Sequence, residues 1–259
     1  MLADDSLDAI IIATPGSTHA ALAKQVLQAG KHALIEKPVA FSLHEAERLA
    51  RLAGKNSLTL MAGHIHLYNS AIHRLKMDVV AGKVGRVLWL DSRGTGGPVR
   101  ADMSALWDYC PHDISILRFL LGHPQRVTAH GVSFRQHGIE DVVTLTLNFR
   151  GTTFASVLGT WLHPEKRRSL VLIGTKRSAF FDDYATRKLV YRTGNYSFTS
   201  PKLSSGRPLT LQIEEFVRCI RTGREPLTGP REFTGVTAVL EAAQQSLATG
   251  KPVSIPQGL

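Results

Sequence analysis

The sequence has few cysteines and no long hydrophobic run. Cys110 and Cys219 are its only cysteines, and two so far apart predict neither a disulfide framework nor a zinc pattern. His64 and His66, two histidines without a third ligand, do not predict a metal site either. No run of about 18 apolar residues is present, so no membrane-spanning helix is expected. The acidic first residues lack the apolar centre of a signal peptide. We therefore expect a cytoplasmic protein without a membrane partner.

Clustered basic charge is also scarce, although the net charge is +10. Residues 1–62 carry six Lys/Arg and six Asp/Glu, whereas residues 63–259 carry 25 and 15. The longest basic run is only residues 166–168, and no nucleic-acid-binding module is visible, so no nucleic-acid partner is expected. The basic excess of the second part could attract anionic substrates such as nucleotide-linked sugars, or it could be an ordinary surface.

The first 62 residues have the pattern of alternating strands and helices. Short continuous apolar runs are typical of strands that are buried on both faces of a parallel sheet. Strand-helix-strand spacing implies parallel crossovers, and so an α/β domain with part of a doubly wound, Rossmann-type sheet. The strands are expected at residues 9–13, 32–36 and 58–62, and the helices at 20–29 and 42–54.

From residue 63 onward the pattern changes. Apolar and polar residues alternate, for example in Val-Thr-Leu-Thr-Leu at 143–147, as in a half-exposed antiparallel sheet. Residues 63–259 are therefore expected to form a second, α+β domain with a large, mainly antiparallel open sheet. Strands are expected at 87–92, 126–134, 142–149, 153–160, 169–174, 179–182 and 188–192, helices at 71–81, 113–121, 210–222 and 233–249, and a loop at 194–208.

Two turns that follow the predicted parallel strands carry polar side chains. Thr14-Pro15, with His19 shortly after it, follows the first strand, and Glu36-Lys37 ends the second. Ligands of open parallel sheets bind beyond the carboxyl ends of the strands, where a lysine ammonium could lie beside a reacting hydroxyl. On spacing alone, an ordinary turn and a solvated lysine explain these residues at least as well.

The segment Trp-Asp-Tyr-Cys-Pro-His-Asp at 107–113 is a third candidate. If it is helical, Asp108 and His112 lie on one face, and a histidine near its unperturbed pKa can take a proton from an alcohol. The alternative is structural. Pro111 suits a first helical turn, in which Asp108 and Asp113 would act as cap and dipole partners.

Five short motifs resemble, in order and spacing, those of the Gfo/Idh/MocA oxidoreductase family. The motifs span nearly the whole chain, and five in register are quite specific. They are Asp-Ala-Ile-Ile-Ile-Ala-Thr-Pro-x3-His at 8–19, Ala-Gly-Lys-His-Ala-Leu-Ile-Glu-Lys-Pro at 29–38, Glu-Ala at 45–46, Gly-His with Tyr-Asn-x-Ala at 63–71, and Asp-x3-His-Asp at 108–113.

The resemblance implies a Rossmann domain that binds NAD or NADP and a second domain whose open sheet often forms an oligomer interface. A homo-oligomer is therefore expected. The implied reaction is hydride transfer between the nicotinamide, which carries the hydride chemistry, and a sugar carbon. Lys37 would lie at the nicotinamide and the reacting carbon, His112 would transfer the hydroxyl proton, and Asp108 would belong to the same cluster. The residues implied to line the cofactor are Thr14, Pro15, His19, Glu36 and Lys37.

Further residues resemble family members that accompany nucleotide-sugar and polysaccharide synthesis. They are Leu106-Trp107-Asp108, Trp161-Leu162 with Lys166, and Asp182-Asp183. A small-molecule sugar or nucleotide sugar is the expected substrate. Arginine offers bidentate geometry for a diphosphate or a carboxylate, although a single basic residue can equally be ordinary surface charge. The expected substrate-binding residues are Tyr68, Asn69, Arg93 and Lys166.

One family feature is not in the sequence. Family members open with a strand and a Gly-x-Gly-x-x-Gly turn that places the pyrophosphate on a helix N-terminus. The first residues here correspond to the third unit of that domain, roughly 60 residues later. We therefore expect an N-terminally truncated form, weak dinucleotide binding and an exposed sheet edge. Two alternatives to a dehydrogenase stay open: an NAD-using glycoside hydrolase of the same fold, and a non-catalytic truncated remnant.

Overall fold

The computed structural model describes residues 1–194 and 197–258, and its first sheet is parallel. This part consists of β1 (Ala9–Ile12), α1 (His19–Gln28), β2 (His32–Ile35), α2 (Leu43–Lys55) and β3 (Leu60–Ala62). The strands lie in the order β1–β2–β3, so β1 is an edge strand, and Ile11 on it is 52% exposed. The predicted alternation of strands and helices and the exposed sheet edge are both confirmed.

The second sheet has nine strands among the described residues, in the order β11-β10-β9-β8-β4-β7-β6-β5-β12. All neighbouring pairs are antiparallel except β4 with β7, which confirms the predicted mainly antiparallel sheet. The strands are β4 (Val87–Thr95), β5 (Arg126–Val132), β6 (Val142–Asn148), β7 (Phe154–Thr160), β8 (Arg167–Gly174), β9 (Ser178–Asp182), β10 (Leu189–Thr193), β11 (Ser197–Thr199) and β12 (Val253–Ser254). The helices are α3 (Ser70–Val80), α4 (Ala105–Asp108), α5 (Cys110–Leu121), α6 (Pro208–Thr222) and α7 (Pro230–Thr249).

Helices cover both faces of the parallel sheet. On one face, Leu27 of α1 and Leu49 of α2 lie in the same apolar core as the inward side chains of β2. On the other face, Phe216 of α6 packs with Leu34 and Met61. Burial on both faces explains why β2 and β3 are continuous apolar runs.

Helices from the described part of the chain cover one face of the large sheet. α5 packs on β4 and β7, α7 on β5, and α3 on β9. On β6, Val143 and Leu145 are buried beneath these helices, whereas Thr144 between them is exposed. This alternation is the pattern of a strand with one face in the core and one face open.

α7 connects the two cores. Its Phe233 is buried with the parallel sheet, and Val236 and Val239 are buried beneath the large sheet. The helix contacts α2 on one side and α5 on the other, so it fixes the carboxyl edge of the parallel sheet against α5. No helix among the described residues is long and apolar enough to cross a membrane.

Some boundaries differ from the sequence predictions. The loop predicted at 194–208 is wrong at β11, which pairs with β10, while 195 and 196 lie outside the described residues. β11 is exposed and has no apolar alternation, so only its pairing with β10 makes it a strand. α5 begins at Cys110, earlier than predicted, because Pro111 occupies its first turn as a residue without a donor N–H.

Candidate active site

The Lys37 side chain reaches from the turn after β2 to the end of α4. Its ammonium donates to the Asp108 carbonyl oxygen (2.6 Å) and to Asp108 Oδ1 (2.7 Å). Each of the two side chains is 16% exposed, so the ion pair is largely shielded from water. Two of the three residues predicted to be catalytic therefore meet, although they are 71 residues apart in the chain.

The third predicted catalytic residue, His112, lies in the first turns of α5 directly after Pro111. Its Nδ1 is buried and has no hydrogen-bond partner among the described residues. Burial lowers the pKa of His112 well below its usual value, and the positive charges of Lys37 and Arg168 lower it further. The ring is therefore neutral at neutral pH, which is the protonation state that a proton acceptor needs.

The His66 ring contacts the His112 ring. His66 was not predicted as a site residue. The ring centroids are 4.7 Å apart at an interplanar angle of 85°. Burial, with the nearby Arg168 charge, lowers the pKa of His66 to about 4. The sequence feature that could have identified His66 is its position just after β3. All three parallel strands end at the same edge of the sheet, so residues that follow them lie near one another.

A polar group around Asp183 lies beyond His66. Asp183 Oδ1 accepts hydrogen bonds from Asn69 Nδ2 and from Lys188 Nζ, both at 2.8 Å, and its Oδ2 is 3.8 Å from His66 Nδ1. Asn69 is one of the predicted substrate-binding residues, and it also caps α3 through its side-chain oxygen. Asp183 is partly exposed, so this group forms the rim of the site.

Lys166 and Arg168 lie near the same rim, but Lys166 is exposed and Arg168 is buried. The exposed Lys166 ammonium is 5.7 Å from the centroid of the Tyr184 ring, next to Asp183. Arg168 is 8% exposed and donates to Asp113 Oδ2 at 2.5 Å. Asp113 also accepts from Ser92 Oγ at 2.6 Å. Arg168 is thus held in a buried ion pair, whereas the Lys166 side chain is exposed.

The residues predicted to line the cofactor lie around the turns after β1 and β2. Thr14 is exposed, with its hydroxyl 2.7 Å from that of Thr18. The buried His19 ring is 2.7 Å from the Thr14 carbonyl oxygen and 2.8 Å from the Pro38 carbonyl oxygen. Both ring nitrogens of His19 therefore face the backbone, so His19 holds the two turns together.

Glu36 and Pro15 complete this part of the site. Glu36 Oε2 accepts from the Lys37 N–H at 3.3 Å, and a Cβ on Gly63 would lie 2.9 Å from the same oxygen. Pro15 accepts from the Thr18 hydroxyl through its carbonyl oxygen. The turn after β3 therefore packs closely on the turn that carries Lys37.

Two predicted substrate-binding residues do not join the cluster. Tyr68 is buried with the α6 core, and its hydroxyl is 3.3 Å from that of Thr228. Arg93 pairs with Asp91 at 2.7 Å on the open face of β4. Ser92 between them faces Asp113 in the core, and because strand side chains alternate, Arg93 points away from it.

Asp108 also differs from the arrangement expected for it. The sequence puts Asp108 and His112 on one face if their segment is helical, yet the Asp108 carboxylate binds Lys37. The ring neighbour of His112 is His66. The His112 ring is thus positioned by packing and by a second imidazole.

The residues present fit the nicotinamide end of a dinucleotide. An ammonium and a neutral imidazole with an unpartnered nitrogen converge at the carboxyl edge of a parallel sheet, where such ligands bind. Thr14 and Glu36 lie on the turns beside them. A Gly-x-Gly-x-x-Gly sequence does not occur in the 259 residues, so the fit concerns this end only.

Comparison with known proteins agrees with this geometry. Residues 1–64 match the model of the GFO_IDH_MocA oxidoreductase family with an NAD-binding Rossmann fold, and residues 72–180 match the family's C-terminal domain. The chain is 27% identical to D-xylose 1-dehydrogenase (NADP(+)) 2 of Haloferax volcanii, over 98% of this chain and 82% of that protein. It is 28% identical to UDP-N-acetylglucosamine 3-dehydrogenase of Acidithiobacillus ferrooxidans, over 84% of this chain and 72% of that protein.

A solved structure shows the same fold. It is an oxidoreductase domain protein from Kribbella flavida, with a TM-score of 0.88, 22% identity, and coverage of 99% of this chain and 82% of that one. The expected fold, oxidoreductase class and NAD-binding domain are thereby confirmed. The chain belongs to the Gfo/Idh/MocA family of oxidoreductases, with an NAD-binding Rossmann-type domain followed by the family's C-terminal domain.

Proposed function

We propose that this protein oxidises or reduces a hydroxyl-bearing carbon of a sugar or nucleotide sugar, with Lys37, Asp108 and His112 as its catalytic residues. The observation that carries the proposal is the contact between Lys37 and Asp108, which brings the turn after β2 to the start of α5. The proposal is supported further by the effect of the Lys37 charge on His112, whose pKa it lowers, so the ammonium and the neutral imidazole are near each other. NAD or NADP supplies the hydride acceptor or donor when bound.

Each of the three residues has a distinct role in this proposal. The Lys37 ammonium polarises the substrate oxygen and stabilises the negative charge that develops there. His112 takes the hydroxyl proton during oxidation and returns it during reduction. Asp108 fixes the Lys37 side chain through two of its oxygen atoms, so the ammonium is already in place when substrate arrives.

The substrate class rests on the relatives and on the rim. The relatives are named for a pentose and for a UDP-linked amino sugar. Lys166 and Lys188 lie at the rim and suit an anionic or polyhydroxylated ligand, and Asn69 lies beside them. Residues 1–62 would form the cofactor domain and residues 63–259 the substrate domain. Both cysteines are free and buried, which supports a cytoplasmic location.

The open face of the large sheet supports a homo-oligomer. Trp89 stacks on Phe154 there, with ring centroids 6.2 Å apart, and Phe154 is 39% exposed. An open face with large apolar side chains is typical of an interface. We expect Leu158→Arg on β7 to lower the molar mass measured by light scattering, with Lys24→Ala on α1 as the control. A monomeric wild-type protein would contradict the assembly.

The catalytic proposal is tested by turnover. The chain is assayed with free and UDP-linked sugars and with either nicotinamide cofactor, and reduced nicotinamide is recorded. Lys37→Ala and His112→Ala should lower turnover by about 10²-fold or more while the thermal midpoint changes little. Lys24→Ala and His130→Ala, both at exposed positions, are the matched controls. Unchanged turnover in the Lys37 and His112 variants would refute the proposed chemistry.

A further inference from the structure

The proposed reaction places a proton on a histidine whose Nδ1 is buried. His112 is enclosed by α5, the segment after β3 and β8, and its Nδ1 has no hydrogen-bond partner among the described residues. The charged and titratable groups that face it are Lys37 from the turn after β2, Arg168 from β8, and His66 and His64 from the segment after β3. The positive charges of Lys37 and Arg168 disfavour imidazolium, so the proton must leave quickly for the next turnover.

We propose that His66 and Asp183 form a proton relay that connects His112 with solvent. The inference rests on the proposed function, because it assumes that His112 is the proton acceptor. During oxidation, the substrate O–H bond breaks and an N–H bond forms on His112. His66 then takes that proton, and Asp183 passes it to water. The electron pair of the substrate C–H bond leaves with the hydride, so no further oxidant or reductant is needed.

The three residues lie in the order of this route. The His112 and His66 rings are in edge contact, with centroids 4.7 Å apart. His66 Nδ1 is 3.8 Å from Asp183 Oδ2, an ion-pair distance once His66 is protonated. The exposed fraction is 15% for the His66 side chain and 21% for that of Asp183, so the path ends at a carboxylate in contact with water.

The charges around His66 also suit a residue that holds a proton only briefly. Burial and the charges of Arg168 and Lys188 oppose its protonation, and Asp183 favours it. Asp183 stays fixed because Asn69 and Lys188 both donate to its Oδ1, which leaves Oδ2 facing His66.

The neighbouring histidine cannot serve the same purpose. His64 is 2% exposed, and its Nδ1 is 2.6 Å from Glu232 Oε2. The other oxygen of Glu232 is itself buried without a partner among the described residues. A proton on His64 would therefore stay in the core, whereas the His66 route reaches the rim.

The first test compares His66→Gln and Asp183→Asn with the wild-type chain, and His130→Gln is the control at an exposed position. We expect His66→Gln to lower kcat by about tenfold to hundredfold at neutral pH and to leave KM nearly unchanged. Added imidazole should restore part of the lost kcat, because a soluble base can take over the proton. A purely structural role would not respond to imidazole.

The second test does not depend on turnover. Ring titrations of His66 and His112 are followed by NMR in the full chain. Asp183→Asn should lower the midpoint of His66, and His66→Gln should raise that of His112, because each removes a charge that its neighbour senses. A His112 midpoint that is unchanged in His66→Gln would overturn the relay.

The outcomes separate the two proposals. If His112→Ala loses turnover while His66→Gln keeps its kcat and its pH profile, the relay is wrong and the function of His112 stands. If His112→Ala itself keeps turnover, the proposed function fails, and the relay fails with it.

Discussion

The Lys37 ammonium is held by two oxygen atoms of one residue, the main-chain carbonyl and the carboxylate of Asp108. This double contact joins the turn after β2 to the end of α4. Because the carbonyl oxygen belongs to the helix backbone, the ammonium is positioned by the fold as well as by a side chain.

Lys37→Met and Asp108→Asn should have coupled effects on turnover. We expect Lys37→Met to lower kcat by about 10²- to 10⁴-fold, and Asp108→Asn by less, because the Asp108 carbonyl oxygen remains as an acceptor. The double variant should be no worse than Lys37→Met, since Asp108 acts through Lys37. Steady-state kinetics of the four proteins check this, and additive losses would show that Asp108 has a separate role.

Acid should destabilise the protein through His66. Its folded pKa of about 4 lies below the unfolded value of about 6.5, so stability is fully present above pH 6.5. Between these two pKa values, only the unfolded state binds the proton, and the free energy of unfolding falls as the pH falls. Urea denaturation at several pH values measures this slope. It should be shallower in His66→Gln and unchanged in His130→Gln, and equal slopes in all three proteins would contradict the assignment.

Removing one partner of the buried ion pair between Arg168 and Asp113 should lower the stability of the protein strongly. Arg168→Met leaves the fully buried Asp113 without its cation, which we expect to lower the free energy of unfolding by about 3–5 kcal/mol. The double variant Arg168→Met/Asp113→Leu should be more stable than Arg168→Met alone, because no charge remains unpaired. Denaturant unfolding measures both variants, and a double variant no more stable than the single one would argue against an ionic pair.

Gly63 should be sensitive to a single added methyl group. A Cβ there would lie 2.9 Å from Glu36 Oε2 and 3.1 Å from Glu36 Cα, beside the turn that carries Lys37. We expect Gly63→Ala to weaken dinucleotide binding and to lower stability. Gly54→Ala is the matched control, because a Cβ in that α2 position meets nothing within 4 Å and alanine favours helix by about 1 kcal/mol. NADH fluorescence titration and thermal unfolding compare the two variants, and equal effects would remove the steric argument.

Local sequence determined the elements of the fold. The apolar runs that became β1, β2 and β3 and the alternation on β6 reflect how many faces of each strand are buried. Ser42 accepts a hydrogen bond from the Glu45 N–H at 3.2 Å, as in a capping box. These features depend on residues close together in the chain, so the sequence specifies them directly.

Tertiary packing decided how the candidate residues combine. Lys37 and Asp108 are 71 residues apart, and only the packing of α4 against the turn after β2 turns them into an ion pair. His112 then faces His66 instead of Asp108. Side chains alternate between the two faces of a strand. Arg93 therefore lies on the open face of β4, although its neighbour Ser92 contacts Asp113 in the core. Composition and spacing carry no information on such distances, because they depend on how separate elements pack, and that packing is set by the whole core.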